Sequence, residues 1–171
     1  MKQTHTSAAT SINAHKLPRV YNLATFTPGE IILDFGCGKY TDHIQKALPE
    51  GVTYYPYDPY NQPQAVNYHS TVAIDIARDT GHPVTVICSN VLNVIDSAEG
   101  VAATAALIET IARKTGGRLL VTVYEGDRSG NGRETGPDQW QRNERTADYL
   151  KYFHGARIHH GVITESFGKE A

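Results

Sequence analysis

At 171 residues the chain is long enough for one domain with a substantial core. Its 40% hydrophobic and 20% charged residues are the composition of an ordinary soluble globular protein. A formal net charge of −2 excludes a general electrostatic pull toward nucleic acid or anionic membrane, although a local basic patch stays compatible with it.

Residues Met1–Thr10 are small and polar and are expected to fray. No apolar h-region and no run of membrane-spanning length is present, which predicts a soluble, cytoplasmic protein. Cys37 and Cys88 form no CxxC pair and read as free thiols of a reducing compartment. Ser11–Tyr21 is expected to form a short helix broken near Pro18, and Thr27-Pro28-Gly29 a turn. Ile31, Ile32 and Leu33 then make an apolar run suited to a buried parallel strand, ended by Asp34. Phe35-Gly36-Cys37-Gly38 turns the chain sharply into a helix over Thr41–Leu48, with Asp42 at its positive end. Two glycines two apart let the backbone approach a ligand where a Cβ would clash.

A second strand, Val52–Tyr57, leads into Asp58-Pro59. Asp58 lies twenty positions after Gly38, close to the spacing at which a second-strand acid meets the hydroxyls of a ribose. A carboxylate suits a vicinal diol because it accepts two hydrogen bonds, and Pro59 fixes the backbone just beyond. Tyr54, Tyr55, Tyr57 and Tyr60 read mostly as packing, with one available to stack near an adenine. The G-x-G-x-x-G dinucleotide fingerprint is half met, because Thr41 stands at its third glycine. The acid directly before the turn, in Ile31-Ile32-Leu33-Asp34-Phe35-Gly36-Cys37-Gly38, resembles the first motif of the class I S-adenosylmethionine-dependent methyltransferases. Members often carry a further glycine where this chain has Tyr40. The resemblance implies S-adenosylmethionine as cofactor, held by Asp34, Phe35, Gly36, Cys37 and Gly38, with Asp58 and Pro59 as the second contact. It also implies an N-terminal helix covering the site through Lys16, Arg19 and Tyr21, against the alternative of a solvated helix packed on the sheet.

Asn61–Tyr68 reads as a polar loop, and Thr71–Ile76 alternates like a third strand ending at Asp75. By resemblance, Asp75 and Ile76 would contact the adenine amino group. Asp79–His82 is a turn, and Pro83–Cys88 is a buried strand rich in β-branched residues. Its continuation, Ser89-Asn90-Val91-Leu92-Asn93, resembles the family's fourth motif, beside the transferable methyl; Ser89, Asn90 and Val91 are the candidates there. The Asn/Asp-Pro-Pro-aromatic tetrad of enzymes that methylate exocyclic amines of bases is absent, which argues against that substrate. Asn90 and Asn93 either orient a substrate or cap helices.

Ser97–Lys114 has helical periodicity, ends at Gly116-Gly117, and is followed by a fifth strand over Arg118–Tyr124. The alternation of strand and helix predicts one α/β domain over residues 1–171, with a Rossmann-like, doubly wound, mostly parallel sheet in a three-layer sandwich.

Glu125–Tyr149 carries four glycines and the only tryptophan, and reads as a long functional loop at the carboxyl edge of the sheet. Trp140 beside Asn143, with Arg128, is the candidate substrate surface; a tryptophan pinning the loop is the alternative. Tyr124, Glu125 and Asp127, with Asn90, are the candidates to assist deprotonation. Thr146–Phe153 reads as a short helix and Ala156–Phe167 as one or two strands around Gly161. On a strand, His159 and His160 would point to opposite faces and share no metal, and no metal-ligand spacing appears elsewhere. The expected activity is methyl transfer to a small-molecule or nucleotide-like acceptor. Cleavage or hydrolysis of S-adenosylmethionine on the same pocket is a second reading. A non-catalytic S-adenosylmethionine-binding or partner-docking module is a third.

Overall fold

The computed structural model describes residues 16–168. The expected fraying of Met1–Thr10 and the first residues of the Ser11–Tyr21 helix fall outside that range.

Six strands form the central sheet: β1 (Ile31–Phe35), β2 (Thr53–Tyr57), β3 (Val84–Ser89), β4 (Arg118–Thr122), β7 (Arg157–His159) and β8 (Val162–Ser166). Their order across the sheet is β2-β1-β3-β4-β8-β7. The first four are parallel, with Leu33 of β1 opposite both Tyr55 of β2 and Val86 of β3. The terminal hairpin adds β8 and β7 antiparallel to β4. β3 lies between β1 and β4 and is buried along nearly all its length, as its unbroken Val-Thr-Val-Ile-Cys run requires. β2 contains Pro56, whose missing N–H is tolerated because β2 is an edge strand.

Helices cover both faces, which makes the expected three layers. Val20 of α1 (Arg19–Leu23) and Ile44 of α2 (Asp42–Ala47) pack with Ile32, Ile87, Leu120 and Val162 on one face. On the other, Ile74 and Ala77 of α3 (Gln64–Thr80) and Val101, Ala105, Ile108 and Ala112 of α4 (Ala98–Lys114) cover Leu33, Val86, Cys88, Leu119 and Val121. Ser97 caps α4, its side chain accepting from the Gly100 N–H at 3.1 Å. After α4 the chain passes so close to β3 that a Cβ on Gly117 would sit 1.9 Å from the Val84 carbonyl oxygen.

Several expectations are corrected here. Thr71–Ile76 is not a strand but the middle of α3, which also absorbs most of the expected loop before it. Ser70, Ile74 and Ala77 recur at helical spacing and are buried against the sheet, and that stripe overrides the local alternation. Asp75 and Ile76 therefore stand exposed on the outside of α3, with Asp75 paired to Arg78 at 2.8 Å, and take no part in the cleft described below. With that strand gone, Arg118–Thr122 is the fourth strand of the sheet in chain order. Pro18 directly precedes a helix, its carbonyl accepting from the Tyr21 N–H at 3.0 Å. The long loop carries structure of its own. It holds a hairpin of β5 (Arg133–Gly136) and β6 (Gln139–Gln141), then a 3-10 helix over Thr146–Tyr152. His160 leaves the strand with φ +49, so the rings of His159 and His160 lie 4.2 Å apart instead of on opposite faces. Among the described residues no group of three or more His, Cys, Asp or Glu is placed to hold a metal. None of the described helices is long and apolar enough to cross a membrane. Cys37 and Cys88 are free.

Candidate cofactor and acceptor site

The carboxyl ends of β1, β3 and β4 open into one cleft of about 1740 Å³, walled on the far side by the β5–β6 hairpin. Small-molecule pockets typically measure roughly 300–1,000 Å³, so this cleft is larger than one such pocket.

One half is built on the glycine turn. Gly36 and Gly38 both have φ +78, a conformation that costs a side-chain-bearing residue strain. A Cβ on Gly36 would also lie 2.2 Å from Val91 Cγ2, so the turn and the exit of β3 are packed against each other. The Gly36 and Cys37 amides donate to the Tyr57 carbonyl at 2.7 and 3.3 Å, which ties the turn to the end of β2. Asp58, buried just past that end, accepts the Gly38 N–H at 3.0 Å. Its carboxylate also accepts the Tyr60 N–H (2.9 Å), the Asn61 N–H (3.0 Å) and the Asn61 side-chain amide (3.1 Å). A carboxylate offers about four acceptor sites, so Asp58 is fully engaged. Gln62 reaches back to the Gly38 carbonyl at 2.6 Å and fastens the segment after Asp58 over the glycine turn.

Asp34 has a different environment. Its Oδ2 accepts both the Tyr21 hydroxyl from α1 and the Tyr54 hydroxyl from β2, each at 2.7 Å. Burial pushes its carboxyl from 3.8 up to about 6, against the opposing pull of the two phenols, with nearby Asp58 adding to the rise. Burial likewise holds both phenols and the Cys37 thiol well above their ordinary values. Cys37 is therefore a poor nucleophile. Tyr21 is bonded to Asp34 from a helix whose Val20 packs on the sheet, while Lys16 and Arg19 line the cleft.

The exit of β3 is fixed to β4: Ser89 and Thr122 hydroxyls are 2.9 Å apart, and the Asn90 N–H donates to the Thr122 carbonyl at 2.8 Å. Asn90 has φ +58 and lines the cleft with Ser89 and Val91. Neither Asn90 nor Asn93 caps a helix: the cap of α4 is Ser97, and the 3-10 helix over Leu92–Val94 has no side-chain cap.

The other half of the cleft belongs to the segment after β4. Tyr124 is 63% exposed, and Glu125, Asp127, Arg128 and Trp140 line the wall. Glu125 accepts the Thr146 N–H and hydroxyl, both at 2.8 Å, and pairs with Arg128 at 2.6 Å. The Thr146 backbone bond, first among these, holds its carboxyl below the ordinary value. Hydrogen bonds from Ser129 do the same for Asp127. Asn143 is buried with φ +56, donates to the Asn131 carbonyl at 2.8 Å, and holds the loop together from inside. The Trp140 ring lies so close to Gly132 that a Cβ there would come within 2.5 Å of it, so this residue both pins the hairpin and faces the cleft.

Sequence reasoning did not find the amide relay that joins the two halves. Asn93 donates to Gln141 at 3.1 Å, and Gln141 donates to the Tyr124 carbonyl at 2.9 Å. The partners are 48 positions apart, and no spacing announces such a pair.

A family model described as a methyltransferase domain matches residues 9–167. Searches of curated proteins and of solved structures returned no match. With a mostly parallel α/β sheet, a glycine turn after β1 and a family model spanning nearly its whole length, the chain belongs to the methyltransferase domain family.

Proposed function

We propose that the protein is an S-adenosylmethionine-dependent methyltransferase of one domain, acting in the cytoplasm on a small-molecule or nucleotide-like acceptor. The observation that carries the cofactor assignment is the meeting of the Gly38 N–H and the Asp58 carboxylate, 3.0 Å apart, at the edge of a large cleft that both residues line. Two features support an adenosyl ligand: Gly36 and Gly38 keep the turn free of Cβ atoms, and Asp58, the acid we assign to a ribose hydroxyl, lines the same cleft. Of the four donors on Asp58, the Asn61 side-chain amide is the one a ribose hydroxyl can replace, since the others are backbone. When bound, the cofactor supplies an activated methyl group. Ser89, Asn90 and Val91 border the space in which that group would lie.

On this reading the chain contributes mainly orientation. Glu125 and Asp127 are held in the carboxylate form by donors and are weak bases, and Asp34 is sequestered by two tyrosines. Bringing reactants into near in-line geometry accounts for a large share of such a rate enhancement. Arg128, Trp140 and Tyr124 are the groups we assign to the acceptor's side of the cleft.

The test is calorimetric titration of the protein with S-adenosylmethionine beside the Asp58→Ala variant, followed by product analysis. Micromolar binding lost in the variant supports the site; no binding to the folded wild type overturns it. S-adenosylhomocysteine as product marks transfer, whereas methylthioadenosine or adenosine marks cleavage.

A further inference from the structure

Between residues 125 and 145 four arginines stand against five acids, so as a sequence the segment is slightly acidic. Folding sorts those charges. Arg128, Arg133 and Arg145 line the cleft, whereas Glu134, Asp138 and Glu144 lie outside its lining. On β5 strand alternation does the sorting: Arg133 and Thr135 reach the cleft, and Glu134 between them does not. Glu144 is drawn off by the Arg142 fork, at 2.9 and 3.0 Å.

The two acids left on this wall are already engaged. Glu125 accepts from Thr146 and pairs with Arg128 at 2.6 Å, so those two charges offset each other. Asp127 accepts the Ser129 N–H at 2.9 Å. Its carboxyl is lowered by Ser129 first and by the charge of Arg133 after it. Among the described residues neither Arg133 nor Arg145 makes an ion pair, whereas Arg128 and Arg142 both do. Both are exposed, and they stand as two guanidinium groups against one engaged carboxylate. A guanidinium presents a planar fork that matches a carboxylate or a phosphate, and a cleft lined by one sign of charge focuses its field. Trp140 and the exposed Tyr124 give the same wall two aromatic faces.

We propose that Arg133 and Arg145 bind an anionic group, a carboxylate or a phosphate, on the methyl acceptor molecule. The inference rests on the methyltransferase reading above and narrows its substrate to small anions. The sorted wall supplies an attraction that the chain as a whole, at a net charge of −2, does not. Arg128 adds little to it, because Glu125 already offsets its charge.

Benzoate, phenyl phosphate and neutral benzamide, which share one ring and differ in charge, are the probes. Each is titrated at low salt into the protein, with and without saturating S-adenosylhomocysteine, and followed by 1H–15N spectra. The indole N–H of Trp140, the only tryptophan, is the reporter. At least one anion is expected to bind about tenfold more tightly than benzamide, and the preferred one tells a carboxylate acceptor from a phosphate acceptor. Arg133→Gln combined with Arg145→Gln should bring that ratio to about one, while lysine at both positions retains part of it. Lys46→Gln combined with Lys114→Gln removes the same charge away from the cleft and should leave the ratio unchanged. Raising the salt to about 0.5 M should shrink the ratio in the wild type, a test that holds should the arginine variants not fold. A ratio near one in the wild type, or no saturable binding of any probe, overturns the proposal. So does a ratio kept in the double glutamine variant or at high salt, or one lowered as much by the lysine pair. Absence of S-adenosylhomocysteine binding with the anion preference intact would instead overturn the cofactor assignment and leave the anion site standing.

Discussion

Asp34 carries two opposed demands: it is buried, yet it must serve as the common acceptor for Tyr21 and Tyr54. Because its folded-state value is raised from 3.8 to about 6, the native protein binds a proton there more tightly than the unfolded chain does. Stability contributed at this site is therefore largest below about pH 4, declines as pH rises toward about 6, and is flat above that. Asp34→Asn should abolish that decline, which urea denaturation at pH 4.5 and pH 7 in the two proteins would show. Tyr21→Phe removes a donor that lowers the Asp34 value, so the carboxyl should titrate higher still. Loss of that bond should also cost about 1–3 kcal/mol at pH 7, where the acceptor is charged. Carbon-13 titration of the Asp34 carboxyl checks the first effect and denaturation the second. The presence of Asp34 at a strand end was legible in the sequence, but the second phenol, Tyr54, was not. Four tyrosines near one strand look alike until the register places one hydroxyl against a carboxylate.

At the scale of elements, the glycine turn and the exit of β3 form one packed unit. Gly36→Ala combines a positive φ with a Cβ 2.2 Å from Val91 Cγ2, and should destabilise by roughly 2–4 kcal/mol. Adding Val91→Ala should recover part of that loss, since only the clash and not the backbone strain is relieved; a double-mutant cycle by denaturation measures the split. The β5–β6 hairpin is fastened by Arg142, which forks onto Glu144 at 2.9 and 3.0 Å and donates to the Ile95 and Asp96 carbonyls. Lysine cannot reproduce that planar fork. Arg142→Lys should therefore raise hydrogen exchange in residues 133–143 by several-fold while leaving the β1–β4 amides unchanged. The segment's function was readable from its place after a strand, but its hairpin was not: β6 is three residues long, and its stability comes from contacts with residues 92–96.

For the molecule as a whole, the two faces of the sheet are closed by separate helix pairs, and the cleft lies where the carboxyl ends of the strands meet. A ligand that binds only this folded arrangement stabilises it by mass action, about 2.7 kcal/mol at a hundredfold excess over Kd. S-adenosylhomocysteine at that excess should thus raise the midpoint of thermal unfolding by several degrees, and the shift should vanish in Asp58→Ala. An unchanged midpoint in the wild type would contradict the cofactor assignment.

The chain's own sequence determined the strands β1, β2, β3 and β4, the sharp glycine turn and the acid twenty positions beyond it. Each of these rests on local chemistry: β-branched runs, residues free of a Cβ, a carboxylate after a strand. Tertiary structure decided what local chemistry leaves degenerate. Thr71–Ile76 alternates like a strand, yet it is helix because Ser70, Ile74 and Ala77 bury one stripe on the sheet. Asp58 reads as a free ribose acceptor, yet folding fills it with the Gly38 amide and three donors from the turn after it. The two halves of the cleft are joined by Asn93 and Gln141, which meet only after β4 and the hairpin have folded back. Hydrogen bonds between residues distant in the chain have no period and no composition, so only the folded chain reveals them.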